Sequence, residues 1–208
     1  MQKNTFEARF KTKTGRLCLD FTNTVDWHAS AHPEETLSTY GDLLRWAEGA
    51  RILPPDKARS FLAASQEKPA LAGSALAQAV ELREAIYRIL SSEARGGEGA
   101  ADDLSVLNKA VASSISNARL EKSDGGFDWN WTLSPSRLDS ILWPVAWSAA
   151  GLLTSEAIER VGECDDEKGC GWLFFDTSRN RSRRWCDMRD CGNRAKSRRH
   201  YRKSHVTA

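Results

Sequence analysis

No stretch of the 208-residue sequence approaches the roughly 20 consecutive apolar residues of a membrane-spanning helix, and mean hydropathy is −0.53. The first residues, MQKNTFEARFKTKTGRLC, lack the apolar core of a secretory signal, so the expected compartment is the cytoplasm and no membrane partner is expected. H-E-x-x-H, G-x-S-x-G, P-loop and G-x-G-x-x-G motifs are absent, which removes the commonest hydrolase and nucleotide-binding signatures. There is no internal repeat, coiled-coil heptad or low-complexity tract. Net charge is scarce too: thirty Lys and Arg against twenty-eight Asp and Glu leave +2. What is present is a 40% hydrophobic content, enough for a real core. The length suits one large domain, or a medium one followed by a small one.

The small net charge conceals a division. From Arg179 to Lys203 there are eleven bases and two acids, a balance of +9. The remainder holds nineteen bases and twenty-six acids, a balance of −7. An acidic body carrying a basic segment suggests a nucleic-acid partner, or else a merely solvated tail. It also suggests an autoinhibitory contact between body and tail.

Four of the five cysteines fall close together as two pairs: Cys164-x5-Cys170, then fifteen residues, then Cys186-x4-Cys191. In a cytosolic chain, paired cysteines are read as ligands of structural zinc before disulfides or free thiols. Gly171 and Gly192 each follow the second cysteine of a pair, where a positive φ would aim backbone N–H groups at the sulfurs. Trp172–Phe175 reads as a strand, Ser178–Asn180 as a turn, Ser182–Trp185 as the return strand, and Arg194–Lys203 as a helix. Knuckle, hairpin and helix make a treble-clef-like plan. Trp172, Phe174 and Trp185 are its candidate core. So small a unit needs its metal to fold. Cys18, inside LCLDF, reads as a small buried hydrophobe.

The run CGWLFFDTSRNRSRRWCDMRDCGNRAKSRRHYRK, Cys170 to Lys203, resembles the CGNR zinc finger, named for the tetrapeptide found here at Cys191–Arg194. The run GRLCLDFTNTVDWHASAHPEETLSTYGDLLRWAEGARIL resembles the ABATE domain that usually precedes that finger. The resemblance implies a bacterial stress-induced transcriptional regulator, with one structural Zn²⁺ per chain on Cys164, Cys170, Cys186 and Cys191 and a finger that binds DNA. The x5 gap is one residue longer than the family pattern; Asp165, Asp166 and His200 are alternative donors to Cys164.

The rest of the chain reads as mainly helical. Arg16–Phe21 is expected to be extended. Helices are expected at Thr36–Ala50, Pro55–Gln66, Leu71–Ala94, Asp103–Ser114 and Ser136–Leu153, the last kinked at Pro144. Ile115–Glu121 and Phe127–Leu133 flank the turn signal Ser123–Gly126 and predict a hairpin, with Phe127, Trp129 and Trp131 on one face. Trp46, Trp143 and Trp147 have helical spacing and read as core. The expected fold is therefore α+β: a mainly helical domain with a small hairpin over residues 1–155, then the finger over 156–208.

A nucleophilic trio of Cys18, Asp20 and His28 can be drawn, but no motif supports an enzyme. Asp20, Asn23, Thr24, Trp27 and His28 are better candidates for a small-molecule effector pocket, or for local backbone caps. Arg194, Arg198 and Arg202 share one face of the last helix, with Lys196, Arg199 and Lys203 beside them. Arg179, Arg181, Arg183 and Arg184 lie on the preceding hairpin. These ten cations are the candidate DNA contacts, hairpin residues to phosphate and some helix residues to bases. Four thiolates around Zn²⁺ lower the segment from +9 to about +7, still strongly basic. Double-stranded DNA is the expected partner, with RNA open. A homodimer is a further expectation. The alternative reading is an RNA- or protein-interaction module on a scaffold body.

Overall fold

A computed structural model describes residues 7–97, 99–123 and 126–206, apart from the side chains of Ala8, Lys203, His205 and Val206. The expected turn residues Asp124 and Gly125 lie outside the described residues, as does the Lys203 side chain.

At the centre is α1 (Leu17–Thr22), where the pattern predicts an extended segment. Leu17, Cys18, Leu19 and Phe21 are all fully buried, and Asp20 is the one part-exposed residue of the helix, too little for a polar stripe. A six-residue helix with a single part-exposed position shows no 3.6-residue periodicity, and a short apolar run of this kind cannot be told from a strand by pattern. Its first amide, Leu17 N–H, donates to the buried Glu7 carboxylate (2.8 Å), whose other oxygen accepts from Ser148 (2.6 Å). Asp20 accepts from Lys13 and Thr14 and holds the preceding turn.

After α1, β1 (Val25–Asp26) pairs antiparallel with β2 (Glu34–Glu35). The next helix, α2 (Tyr40–Gly49), starts later than the expected Thr36, because Thr39 and Asp42 form a reciprocal capping box there. Thr36 instead donates through N–H and Oγ1 to the Thr24 carbonyl. The helices α3 (Pro55–Glu67), α4 (Pro69–Ala94) and α5 (Ala101–Asn117) follow, the first two opening on proline where its missing N–H costs nothing. The long α4 packs on α1, α2, α3 and α5. A hairpin, β3 (Ala118–Ser123) with β4 (Gly126–Trp131), leaves the bundle. Of its aromatic face only Trp131 is buried.

A 3-10 turn (Leu138–Leu142) leads into α6 (Trp143–Leu153). Pro144 stands in the first turn of α6 and so begins this helix; it does not kink a longer one. Leu138, Ile141, Leu142, Val145 and Ala149 of this segment are buried.

The second hairpin differs from expectation. The strand β6 (Leu173–Phe175) pairs with β5 (Val161–Glu163), upstream of the cysteines, and not with Ser182–Trp185. Gly162 explains the choice: a Cβ there would stand 2.5 Å from the Phe174 ring, so the ring lies flat across the glycine. Val161, Leu173 and Phe175 belong to the same core as the helices. A π-helical turn (Met188–Gly192) then enters α7 (Asn193–Val206). No helix among the described residues is long and apolar enough to cross a membrane.

One buried charge ties the layers together. Arg83 on α4, with a side chain only 2% exposed, forks onto Glu35 of β2 (2.7 and 2.6 Å) and reaches Glu84 (2.8 Å). Burial disfavours charge on both acids, but hydrogen bonds from Arg83 to Glu35, and from His28 and Arg83 to Glu84, outweigh it and hold both pKa values below the ordinary 4.5. Their contribution to stability is therefore present above pH 4.5 and lost as pH falls below it. Arg83→Met should cost about 3 kcal/mol in urea unfolding at neutral pH, the low end of values for a broken buried pair because Glu35 keeps some water. The gap from the parent protein should narrow in acid.

Candidate metal centre and basic finger

Cys164, Cys170, Cys186 and Cys191 converge, with all four sulfurs within 4.8 Å of one another. Sγ–Sγ separations are 3.7 Å for Cys170–Cys186 and 3.6 Å for Cys186–Cys191. Four thiolates at the usual Zn–S distance stand about 3.8 Å apart along the edges of a tetrahedron. The cluster thus fits one zinc ion, and all five cysteines of the chain are free thiols rather than disulfides.

The acid–base chemistry of the cluster agrees. Hydrogen bonds from the neighbouring thiols, Cys170 first, hold Cys164 far below the ordinary thiol range. Hydrogen bonding to Cys164 and Cys170 pushes Cys186 up, and burial pushes Cys191 up. A divalent ion held by the four sulfurs would take the place of their protons. Backbone N–H groups also reach the sulfurs, Trp172 to Cys170 and Cys186 to Cys164. Two of the alternative donors are engaged elsewhere, Asp165 with Arg184 and Asp166 with Arg194 and Arg198.

Only one of the two expected glycines has a positive φ. Gly171 has φ +66°, and a Cβ on it would stand 2.6 Å from Ala29 N. Gly192 lies in the π-helical turn without a positive φ; what it needs is room, since a Cβ would press Met188 Sδ at 3.1 Å. A Cβ on Gly169 (φ +84°) would likewise stand 2.8 Å from Ser30 N. The knuckle therefore docks on residues 23–30 backbone to backbone. His28 N–H donates to Cys170 O (3.0 Å) and Ala29 N–H to Gly169 O (3.1 Å). Asn23 exchanges two bonds with Leu173, donating to its carbonyl (2.8 Å) and accepting from its amide (2.9 Å). Trp172 Nε1 donates to Val25 O.

The ten candidate cations divide sharply. Arg194, Arg198 and Arg202 do share a face of α7, but that face lies on the acidic knuckle. Asp166, whose side chain is wholly buried, accepts from Arg194 (3.0 Å) and Arg198; Glu167 accepts from Arg202 (2.7 Å). Burial opposes charge on Asp166, yet the bonds from Arg194, the Lys168 amide and Arg198 hold its carboxyl below the usual range. Arg194 also donates to Cys191 Sγ (2.9 Å) and lies over the Trp27 ring (5.0 Å). Arg181 pairs with Glu159 (2.5 Å), and Arg184 with Asp165. Arg183 donates to the Trp185 and Cys186 carbonyls and covers Phe174. Arg179, Lys196 and Arg199 are exposed with no side-chain partner among the described residues, as is Arg189, which is not one of the ten.

The five candidate pocket residues do not stay together. Asp20, Asn23 and Thr24 line a cleft of about 690 Å³ with Lys11, Lys13, Trp46, Trp172 and Arg183. Trp27 and His28 lie outside it. His28 stacks on Tyr87 (3.6 Å) and meets Glu84 (3.0 Å). The nucleophilic trio does not assemble either. Cys18 is fully buried beside Ser148, its thiol pushed up to about 12 by burial, and Asp20 caps the Thr14 turn.

Comparison with known families matches residues 15–156 to ABATE, described as "Putative stress-induced transcription regulator", and residues 160–204 to the CGNR zinc finger. The chain belongs to the ABATE family and carries a CGNR zinc finger. No curated protein matches it. In this ABATE–CGNR chain the tetrapeptide acquires a physical meaning: Cys191 closes the sulfur cluster, Gly192 makes room for Met188, Asn193 caps back to Arg189 O, and Arg194 joins sulfur to acid.

Purified protein should contain about one zinc per chain by metal analysis, and Cys186→Ser should lose it. Because ligation needs thiolates, retained zinc should fall as pH is lowered in the presence of a chelator. Gly171→Ala, strained in φ and crowded against Ala29, should also weaken zinc retention although it removes no ligand.

Proposed function

We propose that the chain is a zinc-dependent DNA-binding transcriptional regulator of the cytoplasm. Residues 156–208 bind duplex DNA, and residues 1–155 serve as a sensor of a small effector or as a dimerisation module. The observation that carries this reading is the segregation of unpaired cations beside a metal-built scaffold: Arg179, Arg189, Lys196 and Arg199 are exposed without acidic partners among the described residues, in a segment of +9. The family descriptions, a regulator and a zinc finger, support a nucleic-acid partner and describe no enzyme.

Within this reading the ten candidates take different parts. Arg179, Lys196 and Arg199 meet phosphates first and lose no internal ion pair on binding. Arg181, Arg184 and Arg202 hold exposed pairs, worth roughly 0–1 kcal/mol each, and exchange acid for phosphate at little cost. Arg194, Arg198 and Arg183 keep the finger in shape. A protein arranged this way approaches DNA with the outer faces of α7 and its entry turn, with the acid-facing row turned inward.

Gel-shift titration against fragments of the native genome at two salt concentrations tests the proposal. Binding should weaken steeply with salt, and Arg199→Ala should reduce the slope of log affinity against log salt by about 1 while leaving zinc content unchanged. Absent or salt-insensitive binding would overturn it, and preference for structured RNA would transfer the reading to RNA. An effector in the 690 Å³ cleft would touch Trp46 and Trp172, so its binding should change tryptophan fluorescence, and Asp20→Ala should weaken that response.

A further inference from the structure

The hairpin of β3 and β4 carries an apolar face that the body covers only at its base. Trp131 is buried and Trp129 leans on Trp147 (5.3 Å), but Trp129 remains 42% exposed, Leu120 58% and Phe127 69%. In the register, Leu120 stands opposite Trp129, and Lys122 opposite Phe127.

The two edges of this sheet differ. On the β4 edge, Arg9 donates to the Trp129 carbonyl (2.6 Å) and to Asn130 Oδ1 (3.2 Å), so that edge is occupied. The same bond reveals the ladder phase. The Trp129 carbonyl points away from β3, so Trp129 and Leu120 form a pair that exchanges no hydrogen bonds, and both direct their N–H and C=O outward. On the β3 edge, Leu120 therefore presents a free donor and a free acceptor, with no partner among the described residues. An exposed edge with an unpaired donor and acceptor is a template for another strand.

The side chains of β3 select which strand. An antiparallel neighbour of identical sequence, centred on Leu120, places Arg119 opposite Glu121 twice, Leu120 opposite Leu120, and Lys122 beside the small Ala118. Centring on Arg119 or Glu121 sets like charges face to face, and centring between Leu120 and Glu121 sets Arg119 against Lys122. Arg119 and Glu121 are both exposed; Arg119 donates to the Ala118 carbonyl (2.9 Å) and the Ala118 N–H to Ile115 O, so the free edge begins at Leu120, and Glu121 uses one oxygen for Asn130 Nδ2 (2.7 Å). We infer that β3 pairs antiparallel with β3 of a second copy about a two-fold axis at Leu120, giving a four-stranded sheet and a homodimer.

The two Leu120 residues exchange a pair of backbone hydrogen bonds. The axis runs perpendicular to the sheet, so Leu120, Trp129 and Phe127 of both copies fall on one face and cover one another's flanks. Opposite charges directly across an antiparallel pair stabilise it, and like charges there oppose it. The inference deepens the homodimer in the proposed function by naming its interface. It does not depend on the nucleic-acid reading and is tested without any nucleic acid.

Sedimentation equilibrium of the full zinc-loaded chain at micromolar concentration should show a dimer. Arg119→Glu alone sets two acids face to face on either side of the axis, and Glu121→Arg alone sets two bases there; each should weaken dimerisation at least about tenfold. In an equimolar mixture of the two variants the introduced acid of one chain stands opposite the introduced base of the other, and the native Glu121 of the first opposite the native Arg119 of the second, so dimerisation should return; the double variant Arg119→Glu with Glu121→Arg likewise restores both opposite-charge pairs with their order exchanged and should dimerise with near-parental affinity. This rescue separates an interface effect from damage to folding, and circular dichroism of each variant should match the parent. A monomer at these concentrations, a dimer indifferent to both single variants, or a double variant without rescue would each overturn the inference.

Discussion

The contact on which the rest depends is the approach of two backbones: residues 23–30, leaving α1, and residues 169–173, crossing between the cysteines. Glycine is required at 169 and 171 because a Cβ at either would enter the Ala29–Ser30 main chain. Asn23 acts there as a surrogate strand edge, exchanging with Leu173 the two hydrogen bonds a neighbouring strand would supply. This contact fixes the path of the first knuckle, and so the positions of Cys164 and Cys170. It also seats β6 so that Leu173 and Phe175 complete the helical core. The metal site is thus built partly from a segment that supplies no ligand.

A second constraint is the buried carboxylate of Asp166. A charge with no access to water needs cations, and α7 offers Arg194 and Arg198 in consecutive turns. Satisfying Asp166 turns the most regular arginine row of the chain inward and leaves the irregular remainder outward. The same row runs from the sulfur of Cys191 to the exposed Glu167, so the metal centre and the orientation of α7 are one system. The positive charge of the segment accordingly has two populations, one fastening the finger and one facing solvent.

Much of this is legible in the residues. The sulfur cluster is readable from paired cysteines, the helices α3 to α5 from apolar periodicity and flanking proline or glycine, and the first hairpin from its turn residues. What escapes does so for definite reasons. LCLDF looks extended because a short helix buried at all but Asp20 has no polar stripe. The pattern favours a return strand at Ser182–Trp185, but Arg183 spends its guanidinium on local carbonyls, and the true partner is a three-residue strand marked only by Gly162. Gly192 resembles Gly171 in sequence, but Gly192 needs space alone, whereas Gly171 needs both space and a positive φ. The pairing of Asp166 with Arg194 and Arg198 is signalled by acids beside Cys164 facing arginines spaced by four. A census of charges does not tell a row that binds outward from one satisfied inward. The Arg83–Glu35–Glu84 network carries no motif, since its members lie on different elements.

The Asn23–Leu173 exchange has a consequence for how the molecule comes into being. Its partners are separated by 150 residues, so the contact closes a very long loop. The closure entropy of such a loop is recovered only after the helices between have already packed. On an emerging chain, Asn23 and the edge of residues 25–30 wait uncovered until Leu173 arrives. The cysteines are then gathered in a late step, on a surface prepared by the earliest part of the chain. A sulfur cluster formed in that order registers that the whole molecule has assembled, and not merely its last forty residues.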